Sequence, residues 1–273
     1  MSLTITILGC GSSGGVPRAG YGWGECNPTE PRNRRRRCAI LVRKTGNAGV
    51  TSVLVDTGPD LREQLIDAGI THLDGVVLTH DHADHTHGID DLRPLVLHMR
   101  RTIDLYMDET TTDRLRQKFR YVFEMLPGSG YPPILIPHMI KAGRAFRVEG
   151  AGGPVEILPL EVVHGEINAL ALKIDGAVYM PDVSAIPDDV VPHLAGLDLW
   201  ILDALRHRPH PTHFSLSEAL NWIARMKPGC SVLTNLHTDL DYAALMATAP
   251  LGVRAAFDGM QIRFDQTVVT ISN

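Results

Sequence analysis

Leu78-Thr79-His80-Asp81-His82-Ala83-Asp84-His85 sets three histidines and two aspartates in six residues, directly after the apolar run Val76-Val77-Leu78. That run reads as the end of a buried strand. Side chains two apart share a face of an extended segment but lie on nearly opposite faces of a helix, so His80 and His82 converge only where the backbone is extended. A tight turn then returns Asp84 and His85 to the same side. Neutral imidazole and carboxylate are the donors that Zn²⁺, Mn²⁺ or Fe²⁺ prefers, and no thiolate lies nearby to favour a softer metal. A lone strand histidine is more often a satisfied core residue, and histidine clusters also occur in solvated loops. The density of this pattern at a strand end points to a metal site.

The chain has 273 residues, 44% hydrophobic and 21% charged, which suits one large α/β domain over 1–273 with no low-complexity tract dividing it. A net charge of −5 gives no global pull toward nucleic acid or an anionic membrane, so attraction for a phosphate-bearing substrate has to be local. The N-terminus lacks the basic start and long apolar core of a signal peptide, and nowhere do about 18 apolar residues run together, which predicts a cytoplasmic protein with no membrane partner. Cys10, Cys26, Cys38 and Cys230 form no C-x-x-C pair and read as free thiols.

Thr4–Leu8 alternates as a strand and runs into the glycine-rich turn Gly9–Pro17, whose backbone N–H groups suit either an anion or a plain strand exit. It matches neither G-x-G-x-x-G nor a Walker A motif. Five arginines in 32–37 precede the strand 38–42, so Arg36 and Arg37 are candidates for binding substrate phosphate, against the plainer reading of a solvated loop. A strand over 51–56 ends in Asp56-Thr57-Gly58-Pro59, and a helix from Asp60 puts Leu61, Leu65 and Ile66 on one face, with Gly69 as its stop. Asp90 and Arg93, at the start of the helix after the histidine motif, and Tyr131, in the loop 127–133, are candidate pocket residues.

Strands follow at 155–158, 169–174 and 177–180, with Asp175-Gly176 as a two-residue hairpin turn. His164-Gly165 falls in the loop before that hairpin and Asp182 directly after it. A strand over 197–203 ends in Asp203. Ser215–Glu218 reads as a capping box opening a helix whose Leu216, Leu220 and Ile223 serve either the core or a homodimer interface. The strand 232–236 ends in His237, and a hairpin over 257–260 with a strand over 267–271 closes the chain.

Asp56, the His80–His85 cluster, His164, Asp182 and His237 stand in the order of the metallo-β-lactamase superfamily, whose signature is H-x-H-x-D-H, and the chain resembles that superfamily from 51 to 237. The resemblance implies an αββα four-layer sandwich with the site at one edge between two sheets. It implies that His80, His82 and His164 hold one divalent metal ion, Zn or Mn, and that Asp84, His85 and His237 hold a second, with Asp182 bridging them. Asp56 then supports the metal loop by hydrogen bonding. Two cations about 3.5–4 Å apart share a hydroxide for in-line attack and stabilise charge on a phosphoryl group.

The glycine-rich turn, Leu202–Arg206 and Pro211–Leu216 look like the branch containing PhnP, the phosphoribosyl cyclic phosphodiesterase, and more distantly tRNase Z. In that branch the histidine matching His213 is assigned as proton donor, with Asp203 a plausible orienter, while a plain helix-capping role is the bland alternative. PhnP's cysteine-rich zinc insert is not matched, since the region 26–31 holds only Cys26. That leaves the substrate open among small phosphodiesters, cyclic or nucleotide-like. Neither an RNA-gripping arm nor a basic charge balance supports a large nucleic-acid partner. The competing readings are a tRNA 3′-endonuclease, a thioester or lactam hydrolase, and a non-catalytic protein that binds metal or a phosphate ligand.

Overall fold

The computed structural model describes residues 2–265 and 268–272. In chain order its strands are β1 (Ser2–Gly9), β2 (Ala39–Gly46), β3 (Gly49–Val55), β4 (Gly75–Val77), β5 (Ile103–Met107), β6 (Leu135–Met139) and β7 (Phe146–Val148). There follow β8 (Val155–His164), β9 (Ile167–Ile174), β10 (Ala177–Met180), β11 (Leu199–Asp203), β12 (Cys230–Thr234), β13 (Val253–Ala255), β14 (Gln261–Asp265) and β15 (Val268–Ser272). The helices are α1 (Leu61–Asp67), α2 (Ala83–Thr86), α3 (Arg93–Met99), α4 (Glu109–Lys118), α5 (Arg120–Phe123), α6 (Leu216–Met226) and α7 (Tyr242–Thr248). One sheet has the order β15-β14-β1-β2-β3-β4-β5-β6 and the other β13-β12-β11-β10-β9-β8-β7.

Strand periodicity builds the layers. Along β2, Ile40 and Val42 enter a core shared by the two sheets, whereas Ala39 and Leu41 enter a second core on the outer face. That outer core also takes Leu61 and Leu65 of α1, Leu95 and Val96 of α3, and Leu115 of α4. Along β11, Leu199 and Ile201 face the shared core, while Trp200 and Leu202 face a third core with α6 and α7. Strands apolar on both faces are what burial on both faces requires. The result is the helix–sheet–sheet–helix sandwich.

Strand ends position the site. β3 and β4 are parallel, as are β10, β11 and β12, so their carboxyl ends collect in the crevice between the sheets. Thr79 O accepts the Leu170 N–H at 2.9 Å, and Cys10 O accepts that of Leu236 at 2.8 Å, which ties the rims of the two sheets together.

Four sequence expectations are corrected. Ile66 is 56% exposed, because the seven-residue α1 turns only Leu61, Gln64 and Leu65 inward. The strand expected over 155–158 continues to His164, and Gly165-Glu166 is itself the turn of a β8–β9 hairpin. Pro159 argues against such a continuation in a central strand, but β7 pairs only with Val155–Ile157, so β8 is an edge strand at Pro159 and needs no N–H there. Residues 257–260 form no hairpin; they carry the chain from β13 in one sheet to β14 in the other, with Ile7 O accepting the Gly259 N–H at 2.7 Å. The last strand is Val268–Ser272, and Thr267 lies outside the described residues. The Asp175-Gly176 turn and the Ser215–Glu218 capping box are present, and Leu216, Leu220 and Ile223 pack against the third core. No helix among the described residues is long and apolar enough to cross a membrane.

Candidate metal centre

His80 and His82 follow β4 on extended backbone, with His82 at φ −63° and ψ 154° before the single turn of α2. Asp56 sits at the end of β3 with φ +67°, a left-handed conformation that aspartate tolerates better than most residues. Its buried carboxylate accepts from the Thr79 N–H at 2.9 Å and from His85 Nδ1 at 2.8 Å. The Thr79 hydroxyl donates to Asp56 and lies 3.0 Å from His80 Nδ1. Thr57 N–H donates to His85 O at 2.7 Å, and a Cβ on Gly58 would collide with Asp84 O, so this loop clamps the histidine motif.

These bonds fix ring tautomers. Because the Thr79 proton is given to Asp56, its oxygen accepts from His80 Nδ1–H, which leaves His80 Nε2 as a bare lone pair. His164 Nδ1–H goes to Thr212 O at 2.7 Å, so its Nε2 is bare as well, and His85 gives its Nδ1–H to Asp56, which turns its Nε2 into the cluster. The ring nitrogens converge: His80 Nε2 and His82 Nδ1 lie 3.0 Å apart, and His164 Nε2 lies 3.3 Å from His82 Nδ1. His85 Nε2 faces Asp182 Oδ2 at 3.1 Å and Asp84 Oδ2 at 3.5 Å, while Asp182 Oδ2 is buried with no hydrogen-bond partner. Imidazole nitrogens facing one another and carboxylates at these distances need a proton or a metal cation among them. The donor set therefore fits divalent metal, in the groups His80/His82/His164, His80/His85/Asp182 and His164/Asp182/His213.

Burial, reinforced by His85, holds His80 well below the ordinary imidazole range, and burial likewise lowers His164, which keeps both rings neutral and able to ligate. Burial opposes charge on His85, but Asp182, Asp56 and Asp84 together push it up. His213 Nδ1 lies 2.9 Å from Asp203 Oδ2 and 3.6 Å from Asp182 Oδ1. Against the effect of burial, Asp203 raises the His213 ring to about 9.

His237 stands apart from these groups. Its Nε2 lies 2.7 Å from Arg18 Nη1, and its Nδ1 is 3.2 Å from the Thr238 hydroxyl. Arg36 pairs with Asp67, and Arg37 Nε lies 3.0 Å from Asp60 Oδ2, so both candidate phosphate-binding arginines are engaged by α1 and its cap. Arg93 pairs with Asp90 at 2.9 Å and lies 6.0 Å from the Tyr131 ring. With Tyr121, Glu124, Leu126 and Ser129, Arg93 and Tyr131 line a cavity of about 260 Å³ to which none of the clustered histidines contributes. Sequence reading missed Arg18, Thr212 and Asn235. Asn235, at φ +61°, donates through Nδ2 to Pro181 O at 3.0 Å and Asp203 Oδ1 at 3.2 Å. Its signal was an asparagine at the end of β12, two residues before His237.

A sequence model described as the beta-lactamase superfamily domain matches residues 51–235. The crystal structure of a diphosphatase of the PhnP family superposes with a TM-score of 0.87 at 34% identity, covering 97% of this chain and 98% of that one. Zn²⁺-bound PqqB from Methylobacterium extorquens gives 0.71 at 18% identity over 96% and 99% of the two chains, and human short-form tRNase Z gives 0.60 at 17% over 95% and 98%. Those two likenesses concern the fold. An octanoyltransferase of Porphyromonas gingivalis (strain ATCC BAA-308 / W83) is 30% identical over 270 residues, 98% of this chain and 53% of the relative. The chain thus spans about half the length of that curated relative.

Proposed function

The chain belongs to the beta-lactamase superfamily and is a metal-dependent hydrolase, and on that premise we propose that it cleaves a phosphorus–oxygen bond in a small phosphodiester, cyclic, nucleotide-like or diphosphate-linked. The observation that carries this reading is the convergence of His80, His82, His164, His85 and Asp182 beside the Asp203–His213 pair. The likeness to a PhnP-family diphosphatase supports phosphorus as the electrophile. His80, His82 and His164 would hold one Zn²⁺ or Mn²⁺, and Asp84, His85 and Asp182 a second, joined by His237 when its contact with Arg18 opens. Bound there, divalent cations supply Lewis acidity, lowering the pKa of water and neutralising charge on non-bridging phosphoryl oxygens.

The protein's own groups do the rest. Asp56 holds His80, through Thr79, and His85 in the ligating tautomer. Asp203 accepts His213 Nδ1–H, which leaves Nε2 to carry a proton to the departing oxygen, worth about 10²–10⁴-fold when that oxygen is a poor leaving group. Net charge is −5, so a small ligand with local contacts suits the chain better than a long nucleic acid.

The test is hydrolysis of bis-p-nitrophenyl phosphate by metal-stripped protein reconstituted with Mn²⁺ or Zn²⁺, with Asp182→Ala as blank and metal content measured on each sample. Metal-dependent turnover that the variant lacks is the expected result. Two equivalents of bound metal with no diester cleaved would overturn it. The match to half of a polypeptide named octanoyltransferase favours one second reading, acyl-thioester hydrolysis, so an octanoyl thioester belongs in the same panel.

A further inference from the structure

Arg18 follows the glycine-rich turn, and its backbone closes a small loop in which its N–H and that of Gly22 exchange hydrogen bonds with the Gly22 and Arg18 carbonyls, both at 2.8 Å. The side chain lies flat along the turn: a Cβ on Gly14 would collide with Arg18 Nε, so glycine is what gives the arginine its path. The guanidinium is 5.7 Å from the Tyr21 ring and reaches His237 Nε2 at 2.7 Å. Among the described residues no carboxylate lies within ion-pair distance of it, in contrast to Arg36 with Asp67, Arg37 with Asp60 and Arg93 with Asp90. A half-buried guanidinium with no counter-charge, held against His237, keeps N–H donors suited to an anion.

Two neighbours add to it. Ser12, 3% exposed in the same turn, has a hydroxyl with no hydrogen-bond partner, and its N–H donates to Leu236 O, next to His237. The His210 ring lies tilted at 45° to that of His213 with centroids 5.2 Å apart, and its Nδ1 accepts from the Thr212 N–H at 3.3 Å, which leaves the ring proton on Nε2 as a donor.

We propose that Arg18 is a specificity-determining residue that holds a second phosphate of the substrate, one linkage from the phosphorus attacked, so that the chain selects diphosphate diesters over diesters with a single phosphate. This deepens the proposed function and rests on it for the site of attack. A monophosphate occupying only the metal cluster has no use for Arg18, whereas the second phosphate of a diphosphate receives a charged, two-pronged donor.

The probes are AMP and ADP-ribose, titrated calorimetrically into metal-loaded protein as wild type, Arg18→Ala and Arg18→Lys, with metal content measured in parallel. Binding is read without turnover. Loss of a charged hydrogen bond predicts that Arg18→Ala weakens ADP-ribose by about 10–100-fold and AMP by less than about threefold, with Arg18→Lys in between and metal content unchanged. Unchanged ADP-ribose affinity overturns the proposal. So does an equal loss for both nucleotides, which would put Arg18 on the phosphate at the metals, and so does loss of metal, which would make it a support for His237. If the wild type binds both nucleotides and discriminates through Arg18 yet cleaves no phosphodiester, the function reading fails while the subsite stands; if it binds neither nucleotide yet cleaves bis-p-nitrophenyl phosphate, the subsite falls while the function reading stands.

Discussion

Replacing Asp203 by asparagine changes charge and hydrogen-bond polarity at almost constant volume, which makes it the sharpest probe of the His213 pair. As a carboxylate, Asp203 accepts on both oxygens: Oδ2 takes His213 Nδ1 at 2.9 Å and the Val183 N–H at 3.1 Å, and Oδ1 takes Asn235 Nδ2 at 3.2 Å. An amide offers one acceptor oxygen. With that oxygen in the Oδ2 position, the new NH₂ meets the Asn235 NH₂, which is already held by Pro181 O. With the oxygen at Oδ1, the NH₂ faces the Val183 N–H and makes His213 Nδ1 an acceptor. Either way a buried donor goes unpaired, at a cost of about 1–3 kcal/mol in stability. Loss of the charged bond that orients His213 removes about 1.5–3 kcal/mol of transition-state stabilisation, or about 10–150-fold in kcat, from diesters with alkyl leaving groups. Bis-p-nitrophenyl phosphate, whose leaving group needs little protonation, should lose less than about threefold. The assay is kcat across a series of aryl and alkyl diesters at matched metal content, with urea unfolding of the same samples. An equal loss for all leaving groups would remove Asp203 and His213 from proton donation, and unchanged stability would refute the acceptor count.

Asp241 caps α7, accepting the Ala244 N–H at 2.9 Å, and also takes the Asn27 N–H at 3.0 Å and Asn33 Nδ2 at 2.6 Å, so it pins the 27–33 segment to α7. Asp241→Ala should cost about 2–4 kcal/mol, read as a lower urea midpoint at neutral pH. Burial opposes its charge, but those donors win and hold its carboxyl below the ordinary range. A depressed carboxyl stabilises the fold fully above its unfolded value near pH ~4 and loses that contribution as pH falls through the folded value. The gap between wild type and Asp241→Ala should therefore narrow below about pH 4, and a constant gap would show that charge plays no part. Arg36→Ala should leave the KM for bis-p-nitrophenyl phosphate within about twofold, because its guanidinium is spent on Asp67 and an exposed pair contributes little; a rise of tenfold or more would return Arg36 to the substrate.

The site was legible where chemistry and position coincide in one short stretch. H-x-H-x-D-H at a strand end, Asp182 after β10 and Asp203 at the end of β11 are each readable because a strand fixes where its last residue emerges. His164 was recognisable as a candidate even though Pro159 hid the strand that delivers it, since whether a proline is tolerated depends on how far the neighbouring strand extends. The role of Asp241 in pinning the 27–33 segment to α7 was not legible, because Asn27 and Asn33 lie more than two hundred residues away in sequence.

The sequence by itself determined the alternation of apolar residues that makes two sheets buried on both faces, the turns that end the strands, and the donor types of the histidine–aspartate cluster. Those are local properties, set by side-chain period and residue chemistry over a few positions. Only the tertiary structure decided which arginine is left without a counter-charge. Arg36 and Arg37 belong to an obvious arginine run, yet α1 and its cap supply each with a carboxylate, whereas Arg18, unremarkable in sequence, has none within reach among the described residues and extends to His237 across 219 residues of chain. Charge pairing depends on distances in space, which a linear pattern does not encode, and an arginine's function follows from whether a counter-charge has already claimed it.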